Sequence, residues 1–245
     1  MSAKLYVIMG SHACRGASLM LEHKRVPYRV VALPSGMHPF LLRAAGFAGS
    51  PEPFREVDGR NPVGVGILDR LGTVPALLMD GEKVQTTMEI ARHLERVRPD
   101  PPLFPVDPDR RRAVEEAEAW ADDRLQMIAR RLALAGAVRG DYSGDDGPLG
   151  PLLAPTRLQR RAAVAVASHT FAASPAAEAA LRAELPESLD RVDAWIDDGT
   201  LNGEQLNAAD YVIAPSLALL SYRPDIAPEL AARPAGRLVD RVLAA

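Results

Sequence analysis

The chain of 245 residues holds a single cysteine, Cys14. One thiol cannot close a disulfide within the chain, which excludes a disulfide-stapled secreted scaffold. It also excludes a structural zinc site built on cysteine, since such sites use at least two thiolates. Long apolar runs are missing too, and nothing approaches the roughly 18 residues of a membrane-spanning helix. The opening Met1-Ser2-Ala3-Lys4 leads only into a short apolar run from Leu5 to Gly10. That run is too short for a signal-peptide core and no cleavage pattern follows it. A cytoplasmic protein without a membrane partner is expected. An excess of either charge is also lacking: 29 Lys+Arg stand against 32 Asp+Glu, a formal net charge of −3. Near-neutrality argues against a chain that wraps nucleic acid electrostatically. Lysine is scarce, occurring only at Lys4, Lys24 and Lys83, so the basic side is almost all arginine. With the abundant alanine, this points to a GC-rich coding genome rather than to a functional surface.

What is present is ordinary for a globular chain, with 47% hydrophobic and 25% charged residues. The length corresponds to between one and two domains. Residues 4–9 form a β-prone run that Gly10-Ser11-His12 breaks. Ala13, Ala17, Met20 and Leu21 then keep helical spacing over residues 13–24. Tyr28 to Leu33 is a second β-branched run, closed by Pro34-Ser35-Gly36. The first 33 residues therefore predict a strand–helix–strand unit.

Residues 34–72 carry five prolines and seven glycines, with a short helical patch at Phe40 to Ala45. They predict a long, partly ordered connection of the kind that often serves function. Val74 to Met79 predicts a strand, Asp80-Gly81 a hairpin turn, and Lys83-Val84-Gln85 the return strand. Thr86-Thr87 precedes a helix over Met88 to Arg98, with Ile90, Ala91 and Leu94 on one face.

Pro99 to Pro108 holds five prolines and predicts a linker. The expected organisation is a domain over 1–98, a linker over 99–107 and an all-helical domain over 108–245. Asp107-Pro108-Asp109 is a helix start. Ala113, Val114, Ala117, Trp120, Ala121, Ile128 and Leu132 continue helical spacing for about six turns. After a Gly/Asp-rich break from Gly140 to Pro151, helices are expected over 156–173 and 175–197, the latter interrupted around Pro186. A turn at Gly199 to Gly203, a compact apolar helix over Ala208 to Leu220 and a last helix over about 227–243 complete the chain.

Four passages in this order resemble the glutathione S-transferase superfamily. Ser11-His12-Ala13-Cys14-Arg15, continuing to Pro27-Tyr28, resembles the family's first strand–helix–strand passage. Val74-Pro75-Ala76-Leu77 resembles its cis-proline strand, and Met88 to Leu94 with Pro102-Leu103-Phe104-Pro105 its third helix and linker. Asn207-Ala208-Ala209-Asp210 resembles the helix-start box of its C-terminal domain. The resemblance implies an α/β thioredoxin-like N-terminal domain followed by an all-α helical bundle. It also implies glutathione as co-substrate, an electrophilic small molecule as second substrate, and a homodimer.

Ser11 falls where a strand ends and a helix begins. Unpaired backbone N–H groups and the positive helix end favour an anion there. On the residues alone Ser11 is either an N-cap or such a site. The resemblance makes it the hydroxyl that donates to the glutathione sulfur and favours the thiolate. A free thiol of pKa about 8.5 is mostly protonated at neutral pH, so this raises the nucleophile concentration. Cys14 occupies the second seat of a C-x-x-C spacing whose first seat is Ser11, which removes dithiol chemistry within one chain. It is either a small buried hydrophobe or a thiol activated by the first helical turn. His12 replaces the family's usual proline, and is either a neighbour that perturbs the site or a plain loop histidine.

By resemblance, Val74-Pro75 is a cis bond that turns the Val74 backbone to the cysteinyl unit. Thr87 is the hydroxyl that meets the γ-glutamyl carboxylate at a helix start. Thr86 stands where the family has Glu or Gln for the ligand's ammonium, and Gln85 serves instead if the register slips by one. On the residues alone the two threonines are equally a simple cap. Trp120, Arg124 and Met127 lie on the helix that in the family lines the electrophile pocket, and otherwise read as core and surface. Asn207 and Asp210 form an N-x-x-D cap, a folding signal. No metal ligand set is expected.

Three functions follow. The first is a glutathione S-transferase-like enzyme using Ser11. The second is a non-catalytic binding or scaffold protein on the same fold, since fold does not fix function. The third makes Cys14 the catalytic thiol of deglutathionylation or peroxide chemistry.

Overall fold

The structure is a computed structural model that describes residues 3–34, 36–49, 72–141, 148–149 and 173–244. Strand β1 (Ala3–Val7) leads through helix α1 (His12–His23) to strand β2 (Tyr28–Ala32), which pairs parallel to β1. A short helix α2 (His38–Ala44) follows. Strands β3 (Ala76–Met79) and β4 (Glu82–Gln85) form a hairpin, with β3 antiparallel to β1. The sheet order is β2-β1-β3-β4. Asp80 and Gly81 both take positive φ, 49° and 92°, which is what an Asp-Gly hairpin of this type requires.

The two faces of the sheet follow the period of two along each strand. Leu5, Val7, Leu77 and Met79 share a core with Met20 and Leu21 of α1 and with Ile90 and Leu94 of helix α3 (Thr87–Val97). Tyr6, Ala76 and Leu78 point the other way, to Leu42 of α2 and to Phe47. The Tyr6 and Phe47 rings meet edge-on at 5.2 Å between centroids.

Beyond residue 107 every regular element among the described residues is helical. Helix α4 (Pro108–Trp120) is capped by Asp107, whose carboxylate accepts from the Asp109 and Arg110 N–H groups. It passes through a π-helical segment, Ala121–Leu125, into α5 (Gln126–Arg139). Helices α6 (Pro175–Asp197), α7 (Ala208–Leu220), α8 (Ala227–Ala231) and α9 (Pro234–Leu243) follow. Every residue of α7 is buried, so α7 is the central rod of the helical part. The expected N-x-x-D cap is formed in full. The Asn207 side chain accepts from the Ala209 and Asp210 N–H groups, and the Asp210 carboxylate accepts from the Asn202 and Asn207 N–H groups at 2.8 and 2.9 Å.

Three expectations need correction. The helix at 175–197 is not interrupted at Pro186. The proline lies on the exposed side, while Leu181, Leu185, Leu189 and Val192 hold both halves in the core. The backbone acceptor that Pro186 leaves unpaired is thus on the solvent side. The last helix is instead two, because the chain turns at Arg233 and restarts on Pro234. The long helix from 108 is not regular, since the π segment breaks its period. The helix expected over 156–173 and most of the 34–72 connection fall outside the described residues. The helical patch expected near Phe40 is α2.

The α/β part and the helical part are locked together by contacts from α1 and α3. Gly16 of α1 lies against the Tyr211 carbonyl of α7. His23 bonds on both ring nitrogens, at 3.0 Å to the Pro102 carbonyl and 3.0 Å to the Tyr211 hydroxyl. A carbonyl only accepts, so Nε2 carries the proton and Nδ1 accepts from Tyr211. Burial, first, lowers the His23 pKa, in keeping with a neutral ring. Lys24, fully buried, pairs with Glu95, which also accepts from the Leu103 N–H at 2.9 Å. Arg92 of α3 pairs with the wholly buried Glu118 of α4 at 2.7 Å. Burial outweighs Arg92 and pushes the Glu118 carboxyl up to about 7.

Candidate functional site

Strand pairing brings three backbone features to one end of the sheet. β1 ends at Val7 and β3, antiparallel to it, begins at Ala76, so the turn after β1 and the Val74-Pro75 bond lie at the same edge. The Val74-Pro75 bond is cis. β4 ends at Gln85 beside that edge, and the Thr86 N–H donates to the Pro75 carbonyl at 3.2 Å. Helices α1 and α3 therefore both start here. Their N-termini each present unpaired N–H groups and a partial positive charge of the helix dipole.

Ser11 is the N-cap of α1. Gly10, at φ 72°, makes the turn that delivers it, and the Ser11 N–H donates back to the Ile8 carbonyl at 3.2 Å. The Ser11 oxygen accepts from the Cys14 N–H at 3.3 Å. Its own O–H is left to donate, and the side chain is only half-buried. A group arriving at this end of the sheet thus meets a hydroxyl donor on the positive end of a helix.

Thr86 is the N-cap of α3, with φ 72° and ψ 151°, and its hydroxyl oxygen accepts from the Glu89 N–H at 3.2 Å. A non-glycine residue at such a φ is held there by its surroundings and is worth notice at a site. Thr87 is the first residue of α3 and is buried, with its methyl group toward Gly16. The Gln85 alternative does not arise. There is no register slip, and the Gln85 amide is committed, accepting from the Gly49 N–H at 2.7 Å and donating to the Thr73 carbonyl at 3.0 Å.

Cys14 is 4% exposed. Burial, the largest effect, pushes its thiol up, against smaller opposing contributions from Ser11, the Ile8 backbone and Arg130. This is the environment of a packed, protonated thiol rather than of an activated one. His12 is also buried, and burial followed by the Arg130 charge holds it well below the usual histidine range. Its Nε2 has no hydrogen-bond partner among the described residues.

The resemblance puts Trp120 and Arg124 on a helix that lines the family's electrophile pocket, and on the residues alone they read as core and surface. In the structure both face α6. The Trp120 ring meets Trp195 edge-on at 5.2 Å, Arg191 lies over both rings, and Arg124 pairs with Glu184. These contacts do not bring them to Ser11. Among the residues of α5, the Arg130 charge lowers the pKa of both His12 and Cys14, and Gln126 opposes the fall at His12. Sequence reasoning missed them because it read one unbroken helix. One extra residue in a π turn rotates everything after it by about 100° relative to a continuous α-helix. The only hint available was their spacing of four, which places them on one stripe of α5.

No group of three or more metal-ligating side chains is present among the described residues. No helix among them is long and apolar enough to cross a membrane.

No family model matches the sequence, and no curated protein matches it. Solved structures do. A glutathione S-transferase of Methylobacterium radiotolerans in complex with glutathione sulfonate is 22% identical, with a TM-score of 0.58 over 99% of this chain and 90% of that one. A glutathione S-transferase of Ceriporiopsis subvermispora in complex with glutathione is 18% identical, with a TM-score of 0.59 over 99% and 98%. One from Methylobacillus flagellatus with glutathione bound is 18% identical, with a TM-score of 0.58 over 98% and 93%. The strand order, the two converging helix starts and these near-full-length matches together show that the chain has the glutathione S-transferase fold.

Proposed function

We propose that this chain is a glutathione S-transferase-like enzyme. It holds glutathione with the sulfur at Ser11 and activates it for attack on an electrophilic small molecule. The observation that carries this reading is Ser11 itself. Its oxygen accepts from the Cys14 N–H, and its hydroxyl, half-buried at the start of α1, keeps the capacity to donate to a ligand. The thiol gives its proton to solvent water. The sulfur lone pair accepts from the Ser11 O–H and is favoured by the helix end. That electron pair then forms the S–C bond, and a leaving group departs with its own pair. In the same reading Val74 beside Pro75 pairs with the peptide backbone of the ligand, and Thr87 with the start of α3 receives a carboxylate. The protein acts as a homodimer in the cytoplasm.

The same geometry supports a second reading, a thiol-binding or scaffold protein without catalysis. Thr86 favours it, because its hydroxyl caps α3 and its side chain supplies neither acid nor amide for a ligand ammonium. Isothermal titration with glutathione at neutral pH separates the outcomes. Binding at millimolar concentration or tighter, with at least a tenfold fall in kcat/KM on a model electrophile for Ser11→Ala, is the expected result. Absence of binding at millimolar concentration rejects the enzyme. Binding without turnover, and with unaltered partner retention in Ser11→Ala, selects the scaffold.

A further inference from the structure

The sheet face that carries α2 also carries a row of cations. Lys4 stands in register with Arg29 of β2 on one side and with Leu78 of β3 on the other, and Leu78 stands in register with Lys83 of β4. Residues in register on neighbouring strands point to the same face. Leu78 packs with the α2 side of the sheet, so Arg29, Lys4 and Lys83 point there as well. Strands lie about 4.8 Å apart, which puts the three cations within about 15 Å. All three are exposed, as is Arg43 of α2. Among the described residues Lys4, Arg29 and Arg43 have no carboxylate partner. The helical part is different, with Arg111, Arg139, Arg182 and Arg233 all in ion pairs. The sequence itself holds no Asp or Glu from His23 to Pro51. In the hairpin, Glu82 pairs with Arg96 of α3 on the opposite face, and Asp80 lies in the turn.

Helix α2 adds an apolar ridge on the same side. Pro39 and Leu42 are its buried residues, toward the sheet. Met37, Phe40, Leu41 and Ala44 follow helical spacing on its other side. Met37 is 57%, Phe40 60% and Leu41 38% exposed. Lys83 ties the row to this ridge, with its ammonium against Gly46 just past α2 and over the Phe47 ring, 6.0 Å from the centroid.

From this juxtaposition we propose that the α2 face docks on an anionic phospholipid surface. Phe40 and Leu41 enter the boundary between headgroups and acyl chains, and Lys4, Arg29, Arg43 and Lys83 stay at the phosphates. A projecting apolar ridge beside long, flexible cations suits a deformable lipid interface better than a rigid protein groove. The contact is peripheral and reversible, since no helix among the described residues is long and apolar enough to cross a bilayer. With a net charge of −3, the chain as a whole is not drawn to an anionic surface, so binding depends on this face. The proposal is independent of the thiol site.

Co-sedimentation of the full chain with sucrose-loaded vesicles tests it. Vesicles of phosphatidylcholine and phosphatidylglycerol in equal parts should carry the protein down at millimolar lipid, and phosphatidylcholine alone should not. Sodium chloride at about 0.5 M should release it. Lys4→Gln with Arg29→Gln should lower the partition about tenfold. Phe40→Ser with Leu41→Ser should do the same through lost apolar insertion. All four side chains are exposed, so circular dichroism of both pairs should match the parent chain. Arg110→Gln, which removes an exposed cation of α4, should change nothing. Absence of sedimentation on the mixed vesicles, equal sedimentation on phosphatidylcholine alone, an unchanged partition in either pair, or an equal loss in Arg110→Gln overturns the proposal. Retention on polyglutamate without sedimentation on vesicles gives the face to an acidic protein segment and overturns the lipid assignment.

Discussion

Gly16 lies directly against the Tyr211 carbonyl where the α/β and helical parts meet. A Cβ built on Gly16 would come within 2.4 Å of the Tyr211 carbonyl oxygen, a backbone atom in the first turn of a buried helix. Neither side can yield locally, since α1 also packs on the sheet and α7 is surrounded. Gly16→Ala gains about 1 kcal/mol in helix propensity but forces the helices apart. The expected net effect is a loss of about 1–3 kcal/mol. Urea unfolding followed by circular dichroism measures it, and an unchanged or higher midpoint would contradict the packing described.

Glu118 makes stability depend on pH. Its carboxyl is pushed up to about 7 in the folded protein from an ordinary value of 4.5, with burial as the leading cause. The folded state therefore holds a proton that the unfolded chain has released. This group favours folding least at high pH, and the missing stability returns as pH falls through 7 toward 4.5. From pH 8 to pH 5 the change is about 2–3 kcal/mol. Glu118→Gln lacks that dependence, so its stability relative to the parent chain should rise by that amount between pH 5 and pH 8. Parallel denaturation curves at the two pH values supply the comparison, and equal pH slopes in the two proteins would refute it.

The start of α7 predicts a second stability effect. Asn207→Ala removes the acceptor of two buried N–H groups, and a cap of this kind is worth about 1–2 kcal/mol. Asp210→Ala orphans two more, at Asn202 and Asn207, and should cost at least as much. Thermal unfolding of the two variants, with Glu204→Ala as an exposed control, checks the ranking.

Cys14 should behave as a packing residue. It is expected to react with an aromatic disulfide reagent at least tenfold more slowly in the folded chain than after unfolding, because burial keeps it protonated and covered. Cys14→Ala should retain thiol binding. Fast labelling of the folded protein, with loss of activity, would return Cys14 to the role of nucleophile.

Much of the architecture was legible in the chain itself. The alternation of Leu5, Val7 and Tyr6, the helical spacing of Ala17 and Met20, and the Asp80-Gly81 turn specify local geometry by backbone sterics and the burial of one face. The Asn207 and Asp210 cap was legible for the same reason, since its partners are its own neighbours in sequence. Ser11 at a strand–helix junction could also be placed. Its single thiol neighbour three residues on already excluded dithiol chemistry within one chain.

What lies around Ser11 was decided by the tertiary structure. Whether Cys14 is activated or inert depends on burial by elements far away in sequence. Trp120 and Arg124 turn to α6, and Arg130, beyond the π segment, lowers the pKa of His12 and Cys14. Pro186 reads as a break, yet the helix runs through it because four leucine and valine anchors outweigh one missing hydrogen bond on the wet side. Local patterns determine which elements form. Which side chains meet, and at what charge, is fixed only when those elements pack and exclude water.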